Sequence, residues 1–586
     1  MSKLNIDQQT IKELFQNKRS DFLIPDYQRP YAWGLDECQT LWDDIFAFAF
    51  PDGDESKFNI DDEYFLGPIV TFKNERGKLE IIDGQQRLTT LMLLLRAFYE
   101  HFGSMKDSSS VKTAEAIAGC IWKTNEFGAP NKEQLKIDSE VSTDDDKDEF
   151  LNILKSGRTN DEQRSRYAQN YRFFTKQIDK FLQEYPSYFA YLPARIMNNC
   201  ILLPIEAESQ DTALRIFSTL NDRGKPLSDT DIFKAQLYKY YSDMGQKNHF
   251  IERWKKLEDI CDEIFPSDQS SPMDELFTRY MYYIRAKMGI KDTTTTALRK
   301  FYEQDKYAIL KNDKTLSDLE RLASFWQLIY SQDSEAFDKA TLRKLGILQY
   351  APNSMWTYMV TAYFFANAHT DGTLDSKNFC EFLDTITGFI FAYAVVRPGV
   401  NSLRQPVYPE LIKIVNGEKV DFAENKLDPK QVRGAIDNYS FTNQRGTTKS
   451  MLVWWAYQNS KQEVIPAKTL LDIEHIYPRK RQENESGLST SRLLEALGNK
   501  TILERRINIR AADYRLSDKR KYYEGFVTDK GRKREGTIIA DALEIARTYN
   551  DFTEADIVAR NKQIIDAFME FLNRCHLLNS EAIADA

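Results

Sequence analysis

The length of the chain, 586 residues, constrains its fold more than any other feature. A single hydrophobic core rarely serves more than about 250–300 residues, so we expect the chain to divide into roughly three to five folding units. A single small binding module is excluded. Hydrophobic residues make up 42% and charged residues 28% of the chain, which is typical of an ordinary globular protein whose units each bury a core.

The cysteines and the N-terminal sequence bear on where the protein works. The six cysteines stand singly, without a Cys-x-x-Cys pair, and this predicts reduced thiols rather than a zinc cage or disulfide framework. The N-terminus MSKLNIDQQTIKELF lacks the basic head, apolar block and cleavage site of a secretory signal. The apolar stretch at 91–95 ends at Arg96, too early to span a bilayer. We therefore predict a soluble cytoplasmic protein with no membrane partner.

Composition and periodicity predict an α+β multi-domain chain with blocks at residues 1–241, 242–464 and 465–586. In the first block, residues 65–72 and 79–82 have the pattern of two strands joined by a turn. From position 85 onward, apolar residues recur at spacings of three and four, as in a helix. This block therefore mixes strands with helices.

The second block is predicted to be mostly helical. It contains aromatic-rich segments with few alternating stretches, and its Tyr and Phe stripes are typical of core rather than of ligand contacts. Two polar runs in the first block, 139–149 and 155–166, are predicted to be solvated loops or helix ends. We find no internal repeat and no low-complexity tract, which argues against solenoid and collagen-like folds.

Charge is distributed unevenly along the chain. The net charge is −9, so the whole chain is not a polycation that coats nucleic acid. Residues 479–534, however, contain 16 Lys and Arg against 8 Asp and Glu, a local excess of +8. Such a surface suits DNA-directed chemistry, because phosphate contacts dominate DNA affinity. The alternative is a solvated charged helix, with KGRKRE at 530–535 as the obvious segment.

A group of polar residues in the third block has the composition of a hydrolytic site. The segment LLDIEHIYPRKR places Asp472, Glu474 and His475 at the end of an apolar stretch, and LGNKTILERRIN then supplies Asn499 and Asn508. Phosphodiester cleavage needs a base that titrates near neutrality, which His supplies, and a cation that stabilises the developing charge. The alternative is a surface or capped His beside acidic residues.

These residues, in this order, resemble the HNH or ββα-metal nucleases, and within them the DUF1524 family. The resemblance implies a C-terminal domain in which a hairpin carries the His and a following helix carries a metal ligand. It implies Glu474 as a metal ligand and His475 as the general base. It further implies that Asn499 orients the imidazole and that Asn508 holds the second ligand position, where many relatives have His. Oxygen ligands suit Mg²⁺, Mn²⁺ or another hard divalent cation.

A second group of polar residues lies where a predicted strand meets a helix in KLEIIDGQQRLTTL. Asp83 and Gly84 form the turn, and Gln85, Gln86 and Arg87 open the helix. Free backbone amides, the positive end of the helix dipole and a guanidinium can converge at such a corner and bind phosphate. The structural alternative is that the aspartate caps the helix and the arginine pairs with an acidic neighbour.

Two further segments accompany this corner. IPDYQRPYAWG contains Gln28 and Arg29 between aromatic residues, and FSTLNDRGKPLS contains Asn221 and Arg223 on a turn before a helix. Together with DGQQR they resemble DUF262, a family with a ParB-like α/β domain. The resemblance implies binding and hydrolysis of a nucleoside triphosphate, with DGQQR near the phosphates and the other four residues in contact with the nucleotide. No Walker motif is present, so the site is not an ordinary P-loop.

The two resemblances together are those of GmrSD-type restriction enzymes. They imply a type IV, nucleotide-regulated and metal-dependent endonuclease that cuts double-stranded phage DNA carrying hydroxymethylcytosine or its glucosylated form. A homodimer is the economical way to cut both strands. Two alternatives stay open: a nuclease that senses phosphorothioate DNA, and a DNA- or nucleotide-binding regulator with a degenerate HNH domain.

Overall fold

The fold is taken from a computed structural model of the full chain. The structure describes residues 5–6, 8–103, 105–142, 144–210, 212–213, 216, 228–265, 271–294, 296–399 and 401–579. It divides into two compact units, residues 1–256 and 257–586. The three-block division expected from the sequence stays a prediction.

The first unit is built on a seven-stranded mixed sheet with the order β1-β9-β4-β5-β3-β8, in which β2 also pairs with β9. Strands β4 and β9 are parallel, whereas β4 and β5 are antiparallel neighbours. The remaining two strands of the unit, β6 and β7, form a separate pair. The strands are β1 (Asn5–Ile6), β2 (Gln9–Thr10), β3 (Phe22–Ile24), β4 (Tyr64–Lys73), β5 (Leu79–Asp83), β6 (Trp122–Thr124), β7 (Pro130–Leu135), β8 (Ile137–Ser139) and β9 (Cys200–Ala207).

Helices surround this sheet, and α3 is the most buried of them. Every side chain from residue 88 to residue 98 is buried, because α3 packs against both α4 and α6. The helices of the unit are α1 (Ile11–Gln16), α2 (Leu35–Ala49), α3 (Gln85–Phe102), α4 (Ser108–Ile121), α5 (Lys147–Ser156), α6 (Arg166–Glu184), α7 (Tyr191–Asn199), α8 (Asp229–Asp243) and α9 (Lys247–Ile264), the last of which contains the boundary between the units.

The strands and the helix predicted around the DGQQR corner are confirmed, with β4 and β5 as an antiparallel pair and α3 starting at Gln85. The acidic run at 139–149 is only partly solvated, which corrects the expectation. Asp144 is buried and accepts a hydrogen bond of 2.5 Å from the Tyr167 hydroxyl. The carboxylate is therefore a structural group that contacts α6.

The second unit is helical over most of its length, which confirms the prediction for the middle of the chain. One of its helices, α15, is long and apolar enough to cross a membrane, but 72% of its apolar window is buried inside the protein, as in a core helix. The helices are α10 (Pro272–Lys287), α11 (Leu298–Tyr302), α12 (Asp313–Tyr330), α13 (Lys339–Leu348), α14 (Met355–Asn367), α15 (Ser376–Val396), α16 (Arg404–Val415), α17 (Pro429–Asn438) and α18 (Gly446–Gln458).

The C-terminal part of this unit contains two short antiparallel strand pairs among further helices. Its elements are β10 (Leu471–His475), α19 (Arg479–Glu485), β11 (Lys500–Glu504), α20 (Arg505–Ala511), α21 (Leu516–Glu524), β12 (Gly525–Val527), β13 (Lys533–Glu535), α22 (Ala540–Thr548) and α23 (Glu554–Arg574). Helix α19 lies between the two strands of the first pair, and α20 follows β11 directly. The KGRKRE segment is not a charged helix, because its last residues form β13 of an exposed hairpin.

Candidate functional sites

Strands β10 and β11 bring the predicted catalytic residues of the C-terminal region together. Glu474 and His475 are the last residues of β10 and lie opposite Thr501 and Lys500 of β11. Strand residues alternate between faces, so the carboxylate and the imidazole differ in their immediate partners, although the Lys519 charge acts on the pKa of both groups. Two neighbouring residues therefore meet two different sets of partners.

The His475 imidazole lies in a buried, charged pocket. Its side chain is 11% exposed, and Nε2 lies 3.7 Å from a carboxylate oxygen of Glu495. The same carboxylate accepts hydrogen bonds of 2.7 Å from Arg479 and 2.6 Å from Lys500. Burial lowers the pKa of His475 and the Lys500 charge adds to this shift, whereas the Glu495 carboxylate opposes it. The imidazole is therefore neutral at neutral pH and, among the described residues, its Nε2 has no hydrogen-bond partner.

The Glu474 carboxylate is buried beside two side chains of α21. Lys519 lies 2.6 Å from Oε1, and the Tyr523 hydroxyl donates to the same oxygen at 3.1 Å. Burial raises the pKa of Glu474, whereas the Lys519 charge and the hydrogen bonds from Lys519 and Tyr523 oppose the rise. Lys519 also donates to the His475 carbonyl oxygen at 2.6 Å. The lysine thus fixes both the carboxylate and the end of the strand.

Asn499 is fully buried and contacts the backbone that follows His475. Its Oδ1 accepts a hydrogen bond of 2.7 Å from the Tyr477 amide, and its Nδ2 donates to the Tyr477 carbonyl at 3.1 Å. A further hydrogen bond runs from the Ile476 amide to the Asn499 carbonyl. The contacts found for this side chain are with backbone, so it holds the segment after His475 in place. Direct orientation of the imidazole stays a prediction.

Asn508 and Glu474 supply the oxygen atoms that fit a divalent cation. Asn508 lies on α20, which packs against β10, and its buried Oδ1 has no hydrogen-bond partner within the described part of the chain. The contacts of Lys519 and Tyr523 fall on Oε1 of Glu474, not on Oε2. No cluster of three or more His, Cys, Asp and Glu side chains suited to a metal occurs among the described residues. Carboxylate and amide oxygens are the kind of ligand that Mg²⁺ prefers, and a cation held by both residues stays a prediction.

The loop that contains Asn499 packs against α23. A Cβ atom at Gly498 would lie 2.2 Å from the Ile557 carbonyl oxygen, so the loop backbone packs directly on the helix. Arg560 is buried and donates to the carbonyls of Leu497, Gly498 and Lys500 at 3.2, 3.2 and 2.8 Å. It also lies 2.6 Å from the Asp541 carboxylate. This network positions the residues on which the His475 pocket is built.

The N-terminal corner brings one carboxylate and two guanidinium groups together. Gly84 has a φ of +91° and turns the chain from β5 into α3, a conformation that favours glycine. Burial raises the pKa of Asp83, whereas the Gly84 amide and the charges of Arg87 and Arg29 oppose the rise. Arg87 donates to the Pro68 carbonyl at 2.8 Å. The buried Nε of Arg29 has no hydrogen-bond partner within the described residues, so this donor is available to an anion.

The three predicted glutamines are used to hold the loop at 29–33 and strand β5. Gln28 donates to the carbonyls of Ile81 and Ile82, both at 3.1 Å, and Gln85 donates to the Arg29 carbonyl at 3.2 Å. Gln86 accepts a hydrogen bond of 2.6 Å from the Ala32 amide. These contacts bring the IPDYQRPYAWG and DGQQR segments together. Direct contact of the glutamines with a nucleotide stays a prediction.

The third predicted nucleotide-binding segment cannot be placed beside this corner. Asn221 and Arg223 lie outside the residues that the structure describes. The sequence interpretation missed Lys519 and Tyr523, which contact Glu474, and Glu495, which lies beside His475. The spacing of four residues between Lys519 and Tyr523 places both on one helical face, but nothing in that spacing indicates the distant carboxylate.

Two family models match the chain. The N-terminal domain of the GmrSD restriction endonuclease matches residues 11–238, and the C-terminal domain of GmrSD restriction endonucleases matches residues 428–567. Both descriptions define a restriction endonuclease, a class of enzyme that acts on DNA. The matches together cover more than half of the chain, which therefore belongs to the GmrSD restriction endonuclease family. The comparison with curated proteins gave no match.

The family assignment confirms the resemblance found in the sequence and supports a type IV restriction nuclease. The first match contains the Asp83 corner, and the second contains Glu474, His475, Asn499 and Asn508. Each group of candidate residues therefore lies inside a domain of the family.

Proposed function

We propose that the C-terminal region is an HNH nuclease domain that cuts DNA with a divalent cation. The observation that carries the proposal is the pairing of Glu474 and His475 at the end of β10, with Asn508 on the helix that follows β11. This arrangement supplies a neutral base and an oxygen donor from β10 and a second oxygen donor from α20. The buried Asn508 Oδ1 has no hydrogen-bond partner among the residues that the structure describes, which supports a ligand at this point.

The His475 imidazole acts as the general base. It is neutral, and its free Nε2 accepts a proton from the water that attacks the phosphorus. An approaching phosphodiester adds negative charge beside the ring and raises its pKa, which favours proton acceptance. Lys519 fixes the His475 carbonyl, and Asn499 fixes the backbone that follows it. A bound Mg²⁺ or Mn²⁺, held by Glu474 and Asn508, would stabilise charge on the phosphorane and the leaving oxygen.

Removal and return of the metal tests the cation requirement. We expect EDTA to abolish cleavage of DNA with glucosylated hydroxymethylcytosine, and excess Mg²⁺ or Mn²⁺ to restore it, because the cation neutralises charge in the transition state. The measurement is the rate of conversion of supercoiled to nicked and linear DNA. Cleavage that continues unchanged in EDTA would contradict the proposed metal.

The N-terminal unit is proposed to bind and hydrolyse a nucleoside triphosphate at the Asp83–Arg87 corner. Arg29 and Arg87 give the corner more positive than negative charge, and α3 begins there without a side-chain cap. Free amides and guanidinium groups are suitable donors for phosphate oxygens. Binding or turnover of the nucleotide would then regulate the nuclease, and the working protein would be a cytoplasmic homodimer that acts on modified phage DNA.

Loss of a guanidinium at this corner should weaken nucleotide binding. We expect Arg29→Gln and Arg87→Gln each to raise the Kd for ATP or GTP by about 10- to 100-fold, the effect of losing a charge-assisted hydrogen bond. The measurement is isothermal titration calorimetry on the full chain. Arg76→Gln is the matched control, because Arg76 is 67% exposed in the same unit. Unchanged affinity in both corner variants, with the fold intact by circular dichroism, would refute the phosphate role.

A regulator with a degenerate HNH domain is the second candidate function. It is favoured by Lys519, whose ammonium group already neutralises Glu474 at 2.6 Å. The described residues also include no cluster of three or more His, Cys, Asp and Glu side chains suited to a metal. Under this alternative the protein would bind DNA but would not nick it with Mg²⁺, Mn²⁺, Co²⁺ or Ni²⁺. Nicking with any of these metals that requires His475 would exclude it.

A further inference from the structure

The exposed hairpin formed by β12 and β13 has a defined geometry. Its pairs are Gly525 with Glu535, Phe526 with Arg534 and Val527 with Lys533, and no third strand joins it within the described residues. At the tip, the Gly531 amide donates to the Thr528 carbonyl at 2.8 Å. An isolated two-stranded hairpin is only marginally stable in water. We therefore expect other parts of the protein to stabilise the β12–β13 hairpin by packing against its base.

The base of the hairpin is packed tightly against the end of α21. A Cβ atom at Gly536 would lie 2.2 Å from the Tyr523 carbonyl oxygen, and the Thr537 amide donates to that oxygen at 2.8 Å. The Tyr522 and Phe526 rings make an edge-to-face contact at 5.4 Å. The hairpin is therefore fixed at one end, whereas both residues flanking its tip, Val527 and Lys533, are exposed.

Basic side chains are concentrated on this hairpin and on the neighbouring α20. We use the name basic ribbon for the side chains of Arg506, Arg510, Lys530, Arg532, Lys533 and Arg534. The salt bridges of the described residues include none of these six side chains. Other arginines in the same part of the chain are paired, as in Arg481 with Asp551 and Arg515 with Glu485.

The two elements of the basic ribbon lie close enough to repel each other. Burial lowers the pKa of Arg510, and the charges of Arg506 and Arg534 lower it further, whereas the Glu504 charge opposes the fall. Arg506 and Arg510 lie one turn apart on α20, and Arg510 donates to the Arg506 carbonyl at 3.1 Å. Like charges held together destabilise a surface. An anionic partner would turn this repulsion into attraction.

We propose that the β12–β13 hairpin enters the major groove of substrate DNA while Arg506 and Arg510 hold the adjacent phosphates. A major groove about 12 Å wide admits a two-stranded ribbon, whose strands lie about 4.8 Å apart. Asn508 lies two residues from each arginine on α20 and so on the other face of this helix, which places the ribbon beside the helix that carries a proposed metal ligand. The inference rests on the proposed nuclease function and adds to it the surface that holds DNA.

The test is DNA binding measured apart from cleavage. The variant replaces Lys530, Arg532, Lys533 and Arg534 with Gln in the full chain. The control replaces four exposed lysines of the helical region, Lys291, Lys300, Lys314 and Lys377, with Gln, and so changes the net charge equally. Fluorescence anisotropy with a 30-base-pair duplex in EDTA gives Kd from 50 to 300 mM salt.

We expect the hairpin variant to bind about 10- to 1000-fold more weakly than the wild type and to reduce the slope of log K against log salt by about 2 to 4. The control should bind as the wild type does. Equal affinity and slope for the two variants would overturn the proposal, as would a wild-type protein that does not bind DNA. A wild type that binds DNA through the hairpin but does not cut it would refute the proposed nuclease function. The proposal that the basic ribbon binds DNA would then still hold.

Discussion

His475→Ala should abolish metal-dependent DNA cleavage and leave the fold intact. Loss of a general base lowers the cleavage rate by about 10²- to 10⁴-fold. We expect a fall at the upper end of this range, because the site has no second His to replace His475. The fold should persist because Nε2 makes no hydrogen bond in the described part of the chain. The measurement is nicking of supercoiled modified DNA with Mg²⁺, together with the melting temperature of the variant.

The matched control is His369→Ala, an exposed histidine of the same unit. This variant should cut DNA at the wild-type rate, which separates the role of His475 from the loss of any imidazole. Undiminished cleavage by His475→Ala would refute the assignment of the general base. A large drop in its melting temperature would instead indicate a structural role for the ring.

Arg560→Ala should destabilise the C-terminal unit more than any other single change discussed above. The guanidinium group holds three carbonyl oxygens of the loop at 497–500 and the Asp541 carboxylate. Its removal leaves the buried Asp541 carboxylate without its partner charge. Such a loss lowers the free energy of unfolding by about 3–5 kcal/mol. We expect the midpoint of urea unfolding to fall sharply, and cleavage to fall with it, since Asn499 lies in the same loop.

Lys562→Ala is the control for this change. Lys562 is exposed on the same helix, α23, and its loss should alter the free energy of unfolding by less than about 0.5 kcal/mol. If Arg560→Ala unfolds at the same urea concentration as this control, the network behind the His475 pocket does not stabilise the unit as described.

Much of the N-terminal corner could be predicted from local sequence. Two strand-like runs joined by a turn-rich segment predicted strands β4 and β5, and apolar spacings of three and four predicted α3, because these patterns depend on nearby residues alone. The role of Gln86 could not be predicted, because its partners, the backbone groups of the loop at 29–33, lie more than 50 positions away. A polar residue in a motif can support a loop as well as bind a ligand.

The C-terminal site was predictable in its motif residues but not in their surroundings. Glu474 and His475 could be predicted as site residues because they precede Asn499 and Asn508 in the order typical of the family. The Lys519 partner of Glu474 comes from a helix 45 positions further on, and tertiary packing alone brings the two together. The helix considered for KGRKRE was wrong, since Gly531 adopts a φ of +73° in a hairpin tip. A glycine within a charged run was the signal for a turn.

Cleavage of a panel of DNAs, with and without nucleoside triphosphate, tests the central claim most directly. The panel contains plain, hydroxymethylated, glucosylated and phosphorothioated duplexes of one sequence, incubated with the wild type and Mg²⁺. The account predicts double-strand cuts in hydroxymethylated or glucosylated DNA at a rate that changes with nucleotide, and no cuts in plain DNA. Cleavage confined to phosphorothioated DNA, equal cleavage of all four duplexes, or no cleavage of any would contradict it.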